Sequence, residues 1–159
     1  MTTEITFREA TELDVPVLVP LVNRAFEVQD KKITGIERTD AEEMLRLMQD
    51  GTFLVSEDEQ GPVGCVHVKI NGTAGYFGML AVDPNRQKSG LGGKLIAAAE
   101  EFARKRGCTV MEITVINLQT AIFPYYRKLG YVEVGREGRR EGKREPLIDY
   151  HLVRMRKTL

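Results

Sequence analysis

Apolar positions along the chain change their spacing several times, and each change predicts an element. Ile5-Thr6-Phe7-Arg8 alternates as a short strand does. Over residues 13–26, Leu13, Val17, Leu21, Val22, Ala25 and Phe26 recur at helical spacing, with Asp14 ahead of Pro16 as the start. Pro20 deletes an interior hydrogen bond, which predicts a kink or a late start. Thr39-Asp40-Ala41-Glu42 has the form of a capping box. The stripe Met44, Leu45, Met48 and a stop at Gly51 complete a second, short helix. Three strand-like runs follow at 52–57, 63–70 and 73–82, the last two joined by Asn71-Gly72, a strong hairpin signal. They predict an antiparallel meander that stops at Asp83-Pro84-Asn85.

A glycine-bearing loop, Gln87-Lys88-Ser89-Gly90-Leu91-Gly92-Gly93, then opens a helix over 91–106, with Leu91, Leu95, Ala99 and Ala103 among its inward positions. The β-rich run 109–116 completes a βαβ unit, so the strands flanking this helix should be parallel. A short helix is expected over 119–128, stopping at Gly130, and strands at 131–135 and 147–155. The charged stretch 136–146 between those strands reads as a solvated loop, and Arg154, Arg156 and Lys157 as a frayed basic end. No repeat or linker divides residues 1–159, so a single α+β domain is expected, its sheet mixed but mostly antiparallel.

Composition narrows the function classes. Lys+Arg and Asp+Glu both number 23, so there is none of the basic excess that a general nucleic-acid or membrane-surface binder needs. No apolar run approaches the ~20 residues of a membrane span, and Met1-Thr2-Thr3-Glu4 lacks the order of a signal peptide. Two cysteines, Cys65 and Cys108, make no disulfide framework, which sets a cytoplasmic expectation. With His67 and His151 they also lack the paired spacing of a zinc site, so no metal is expected.

The glycine loop is where chemistry enters. The first N–H groups of a helix have no partner within it, and the helix dipole favours an anion there. Glycine lets a phosphate approach the backbone closely. Ser89 offers a hydroxyl, Lys88 and Lys94 positive charge, and Arg86 charge less directly. A Walker A loop fails on Leu95 after Gly93-Lys94, and a dinucleotide fingerprint fails on the same residue. The three antiparallel strands ahead of the loop also count against a Rossmann-type reductase.

Gln87, Gly90 and Gly92, in the run Arg86-Gln87-Lys88-Ser89-Gly90-Leu91-Gly92 after Met79-Leu80-Ala81-Val82-Asp83-Pro84, resemble the acyl-CoA loop of the GNAT superfamily of N-acetyltransferases. Asn117, Ala121 and Tyr125-Tyr126-Arg127-Lys128-Leu129-Gly130-Tyr131 resemble that family's second block, departing from it in Pro124 and in a longer gap from Asn117 to Tyr126. The resemblance implies a GNAT-like sheet of about six or seven strands with helices on both faces. It implies acetyl-CoA as co-substrate, its pyrophosphate on the backbone of Gln87, Lys88, Ser89, Gly90, Leu91, Gly92 and Gly93. Its pantetheine arm would lie against Leu80 and Val82, with an N–H near Leu80 and Ala81 for the oxyanion, and Asn117 belongs to the same implied cofactor site.

The implied reaction is direct attack of a primary amine on the thioester. Tyr126 matches the family tyrosine that serves as acid to the departing thiolate and lies at the cofactor; Tyr125 reads as a packing aromatic. For the base, Glu112, His67, Tyr76 and a water chain all stay open. The acceptor, a small-molecule or protein amine, would be received by variable loops at 27–38 and 136–146. Many members pair through sheet edges or C-terminal strands, which makes a homodimer one expectation. A non-catalytic acyl-CoA-binding regulatory domain is the alternative, and it would need the loop but not Tyr126.

Overall fold

The computed structural model describes residues 4–87, 89–140 and 145–159. Among them are seven strands in one sheet, ordered β1-β2-β3-β4-β5-β7-β6, and four α-helices. Strands β1 (Thr6–Glu9), β2 (Thr52–Asp58), β3 (Gly61–Asn71) and β4 (Ala74–Val82) form the antiparallel meander. Helix α3 (Leu91–Lys105) crosses over to β5 (Val110–Ile116), which lies parallel to β4, as the βαβ reading requires. β6 (Val132–Glu137) and β7 (Leu152–Thr158) complete the far half, with β7 antiparallel to both β5 and β6.

The sheet has a core on each face. On one face, α3 and α4 (Ile122–Lys128) bury Leu95, Ile96 and Ala99 against Val66, Phe77 and Met111. On the other, α1 (Val15–Ile33) and α2 (Ala41–Asp50) bury Leu18, Val22 and Met44 against Phe53, Val55 and Cys65. Gly64 of β3 admits no side chain: a Cβ there would stand 2.8 Å from Ser56 Oγ and 2.9 Å from Leu95 Cδ1.

Several expectations are corrected. α1 does not end near residue 26 but runs to Ile33, so much of the expected acceptor loop 27–38 is helix. Pro20 neither delays nor ends it. The buried face Leu18, Leu21 and Val22 outweighs the one backbone bond a proline removes. The cap of α2 is Asp40, whose Oδ1 accepts from Glu43 N at 2.8 Å. Thr39 is instead locked to Asn23, which accepts its N–H at 2.9 Å and donates to its carbonyl at 3.0 Å. The expected loop 136–146 begins as strand, since β6 reaches Glu137, and residues 141–144 lie outside the described residues.

The last strand is shifted towards the C-terminus. Leu147 donates its N–H to the Ile33 carbonyl at 2.5 Å, outside the sheet, and pairing with β5 starts at Leu152. Arg154, Arg156 and Lys157 are therefore inside a strand paired on both sides, not at a frayed end. Lys157 Nζ reaches Glu100 of α3 at 3.0 Å, and the Tyr131 hydroxyl donates to the same carboxylate at 2.8 Å.

Candidate active site

The site starts at an irregularity in β4. Cys65 pairs with Ala81 and His67 with Gly78, so Met79 and Leu80 together oppose only Val66. This is a bulge, and Met79 takes a φ of +50°, which a non-glycine residue adopts only when its surroundings hold it there. The Cys65 thiol donates to the Met79 carbonyl at 3.8 Å. Parallel pairing with β5 ends just before the bulge, the last partners being Tyr76 and Glu112. Beyond them β4 and β5 part, and Tyr76 Oη and Thr114 Oγ1 stand 2.9 Å apart where the gap opens.

Backbone direction decides what the gap receives. Asp83 donates its N–H to Val63 of β3 at 2.8 Å. Successive residues of a strand point their backbone groups to opposite sides, so Ala81 also faces β3 while Leu80 and Val82 face the gap. Of Leu80 and Ala81, only Leu80 turns its backbone N–H to the gap. A cavity of about 680 Å³ lies along the gap, with Phe77 to Leu80 on one wall, Ile113 to Ile116 on the other, and Tyr126.

The glycine loop borders the same strand. Gly90, at φ +80°, is the residue before α3, and no side chain caps that helix. Lys94 makes the first intrahelical bond, to the Gly90 carbonyl at 3.2 Å, which leaves the N–H groups of Leu91, Gly92 and Gly93 without helical partners. A Cβ on Gly92 would lie 4.0 Å from Val82 Cγ2, and one on Gly93 3.5 Å from Tyr125 Oη. So the loop, the end of β4 and α4 converge. Ser89 Oγ donates to the Arg86 carbonyl, closing the turn that Gln87 occupies, and Lys88 lies outside the described residues. Arg86 does not serve the loop; its guanidinium is paired with the buried Asp58.

Tyr126 is 7% exposed and its ring packs among Phe77, Tyr125 and Tyr131. Burial, and then the neighbouring phenols of Tyr125 and Tyr76, push its hydroxyl up to about 12, so it stays protonated at neutral pH. Tyr125, expected only to pack, is half-exposed and reaches the start of α3. Asn117 has another partner: its Oδ1 accepts from His151 N at 2.9 Å and its own N–H donates to the His151 carbonyl at 3.0 Å, pinning β7 to the end of β5.

The candidate bases divide. Glu112 Oε1 accepts from Arg156 Nε at 2.9 Å. His67 lines the cavity, and its Nε2 stands 2.7 Å from the Leu47 carbonyl, which makes that nitrogen the donor. Burial lowers its pKa, so the ring is neutral at pH 7. Sequence reasoning missed the bulge at Met79 and the polar wall of the cavity formed by Asp30, Arg38 and Glu43. A bulge leaves no local signature, and those three residues lie on a helix, a connection and a second helix.

The chain matches the Acetyltransferase (GNAT) family over residues 18–131. It belongs to that family. The Bacillus subtilis (strain 168) protein called "Uncharacterized N-acetyltransferase YjcF" is 27% identical over 108 residues, 67% of this chain and 75% of that protein. A ribosomal-protein-alanine N-acetyltransferase from Brucella melitensis superposes with a TM-score of 0.76 at 25% identity, covering 97% of this chain and 99% of that one. The PaiA N-acetyltransferase of Thermoplasma acidophilum, solved in complex with coenzyme A, gives 0.76 at 17% identity, covering 98% and 99%. GNAT members are acetyltransferases, and the splayed β4–β5 pair of this chain sits in that fold. No described helix is long and apolar enough to cross a membrane. Cys65 and Cys108 are buried free thiols.

Proposed function

We propose that the protein moves an acetyl group from acetyl-CoA to a primary amine by direct attack. The observation that carries this reading is the junction of three features: a cavity along the β4–β5 gap, N–H groups without helical partners at the start of α3 where Gly92 stands against Val82 at the end of β4, and Tyr126 in the cavity wall. The diphosphate lies on the N–H groups of Leu91, Gly92 and Gly93 and the loop from Gln87 through Lys88, Ser89 and Gly90. The pantetheine arm takes the gap-facing backbone of Leu80 and Val82 as an added strand would.

The amine, neutral after losing a proton to water or a nearby base, attacks the thioester carbon. A C–N bond forms while the carbonyl electrons move to oxygen, where the Leu80 N–H receives them. Collapse breaks the C–S bond and releases the thiolate, and the nitrogen, cationic after its attack, gives its second proton to water, leaving the neutral amide. Tyr126 meets that sulfur with its proton. Its pKa of about 12 lies well above the ~8.5 of a thiol, so the phenol hydrogen-bonds the departing sulfur without surrendering its proton outright. A purely regulatory acyl-CoA-binding domain would have no use for a phenol there. Thiol release from acetyl-CoA with an amine panel, comparing wild type with Tyr126→Phe, tests the reading. Amine-dependent release by wild type supports it, and tight cofactor binding without turnover of any amine supports the regulatory alternative.

A further inference from the structure

The cavity extends beyond the gap to a polar wall that the proposed acetyl transfer does not use. Asp30 near the end of α1, Arg38 in the connection and Glu43 in the first turn of α2 line it, together with Arg140. Asp30 is 5% exposed, yet its Oδ2 has no hydrogen-bond partner among the described residues, and neither has the buried Oε1 of Glu43. Arg38 lies with its guanidinium 4.5 Å from the centre of the Phe26 ring. Its nearest carboxylate oxygen, Asp30 Oδ1, is 3.7 Å away, too far for a hydrogen bond. Arg140 adds a second positive charge near it.

This chain closes such pairs elsewhere. Arg8 grips Asp14 with two bonds of 2.7 and 2.9 Å. At the cavity wall, among the described residues, Arg38 stands short of a hydrogen bond to Asp30 while carboxylate oxygens of Asp30 and Glu43 have no partner. Water-poor groups left open in this way are costly, and a ligand of opposite arrangement would satisfy both. Burial raises the carboxyl pKa of Asp30 while Arg38 and Arg140 pull it down, as expected for a group short of partners.

Building on the proposed acetyl transfer, we propose that the acceptor is an amino acid, its carboxylate received by Arg38 beside Arg140 and its amine N–H groups by Asp30 Oδ2 and Glu43 Oε1. A single negative charge with a donor next to it matches the wall. A phosphate dianion would be repelled by the two carboxylates.

The test compares free amino acids with their primary amides and with aminoalkyl phosphonates, at saturating acetyl-CoA, by thiol release. Loss of a charge-assisted fork predicts a KM about 10–100-fold higher for the amide than for the acid in wild type. Arg38→Met should bring that ratio to within about threefold, leaving coenzyme A affinity by calorimetry unchanged, and Arg38→Lys should restore part of it. Should Arg38→Met not fold, the wild-type ratio and Arg38→Lys still decide. Acid and amide accepted equally by wild type, a preference for the phosphonate, or turnover confined to amines without a carboxylate overturns the inference while leaving acetyl transfer standing. Failure to bind coenzyme A, or no thiol release with any amine, overturns both.

Discussion

The hydroxyl of Tyr126 is a single oxygen on which rate should depend without affinity. Removing it in Tyr126→Phe deletes one transition-state hydrogen bond and is expected to lower kcat about 10–100-fold, with coenzyme A affinity unchanged by calorimetry. Because burial and two neighbouring phenols raise its pKa to about 12, the proton stays in place through the neutral and mildly alkaline range. The rate should therefore climb from pH 6 to 9 as the acceptor amine loses its proton, with no fall from Tyr126 ionisation before pH approaches 12. An alkaline fall in kcat centred near pH 8 that disappears in Tyr126→Phe would contradict this assignment. The motif singled out Tyr126, which lies in the cavity wall; Asp30, Arg38 and Glu43 carried no such signal. Their chemistry arises only when α1, the connection and α2 fold against one another.

Elements were legible where pattern and packing agree, and were misplaced where tertiary contacts decide. The meander and the parallel crossover follow from alternation, Asn71-Gly72 and the helix after Gly90. The late start of β7 follows from Leu147 docking on Ile33, which no periodicity announces. One consequence is testable on the α3–β7 contact. Glu100 is 6% exposed and is held by Lys157 and Tyr131. Lys157→Met should leave that carboxylate buried with one partner fewer and destabilise the protein by about 2–4 kcal/mol in urea unfolding. A solvated, frayed end would lose nothing. The tie between α2 and β3 is pH-sensitive. Burial depresses the His67 pKa below 6.5, so its contribution is fully present above pH 6.5 and is lost as pH falls through the lowered value. The urea midpoint should fall between pH 7 and pH 5, and fall less in His67→Gln.

At the scale of the whole molecule, a strained bulge at Met79 turns β4 from β5, and a helix start without a side-chain cap lies beside the opening. The start of α3 and the gap-facing edge of β4 meet where Gly92 stands against Val82. The most direct test is calorimetric titration of coenzyme A into wild type and into Gly92→Glu. A side chain fits at Gly92, where a Cβ would lie 4.0 Å from its nearest neighbour, so this variant should fold while placing a carboxylate against the diphosphate. Wild type should bind saturably, one to one, and the variant at least about tenfold more weakly. No heat with wild type, or equal affinity in both, would contradict it.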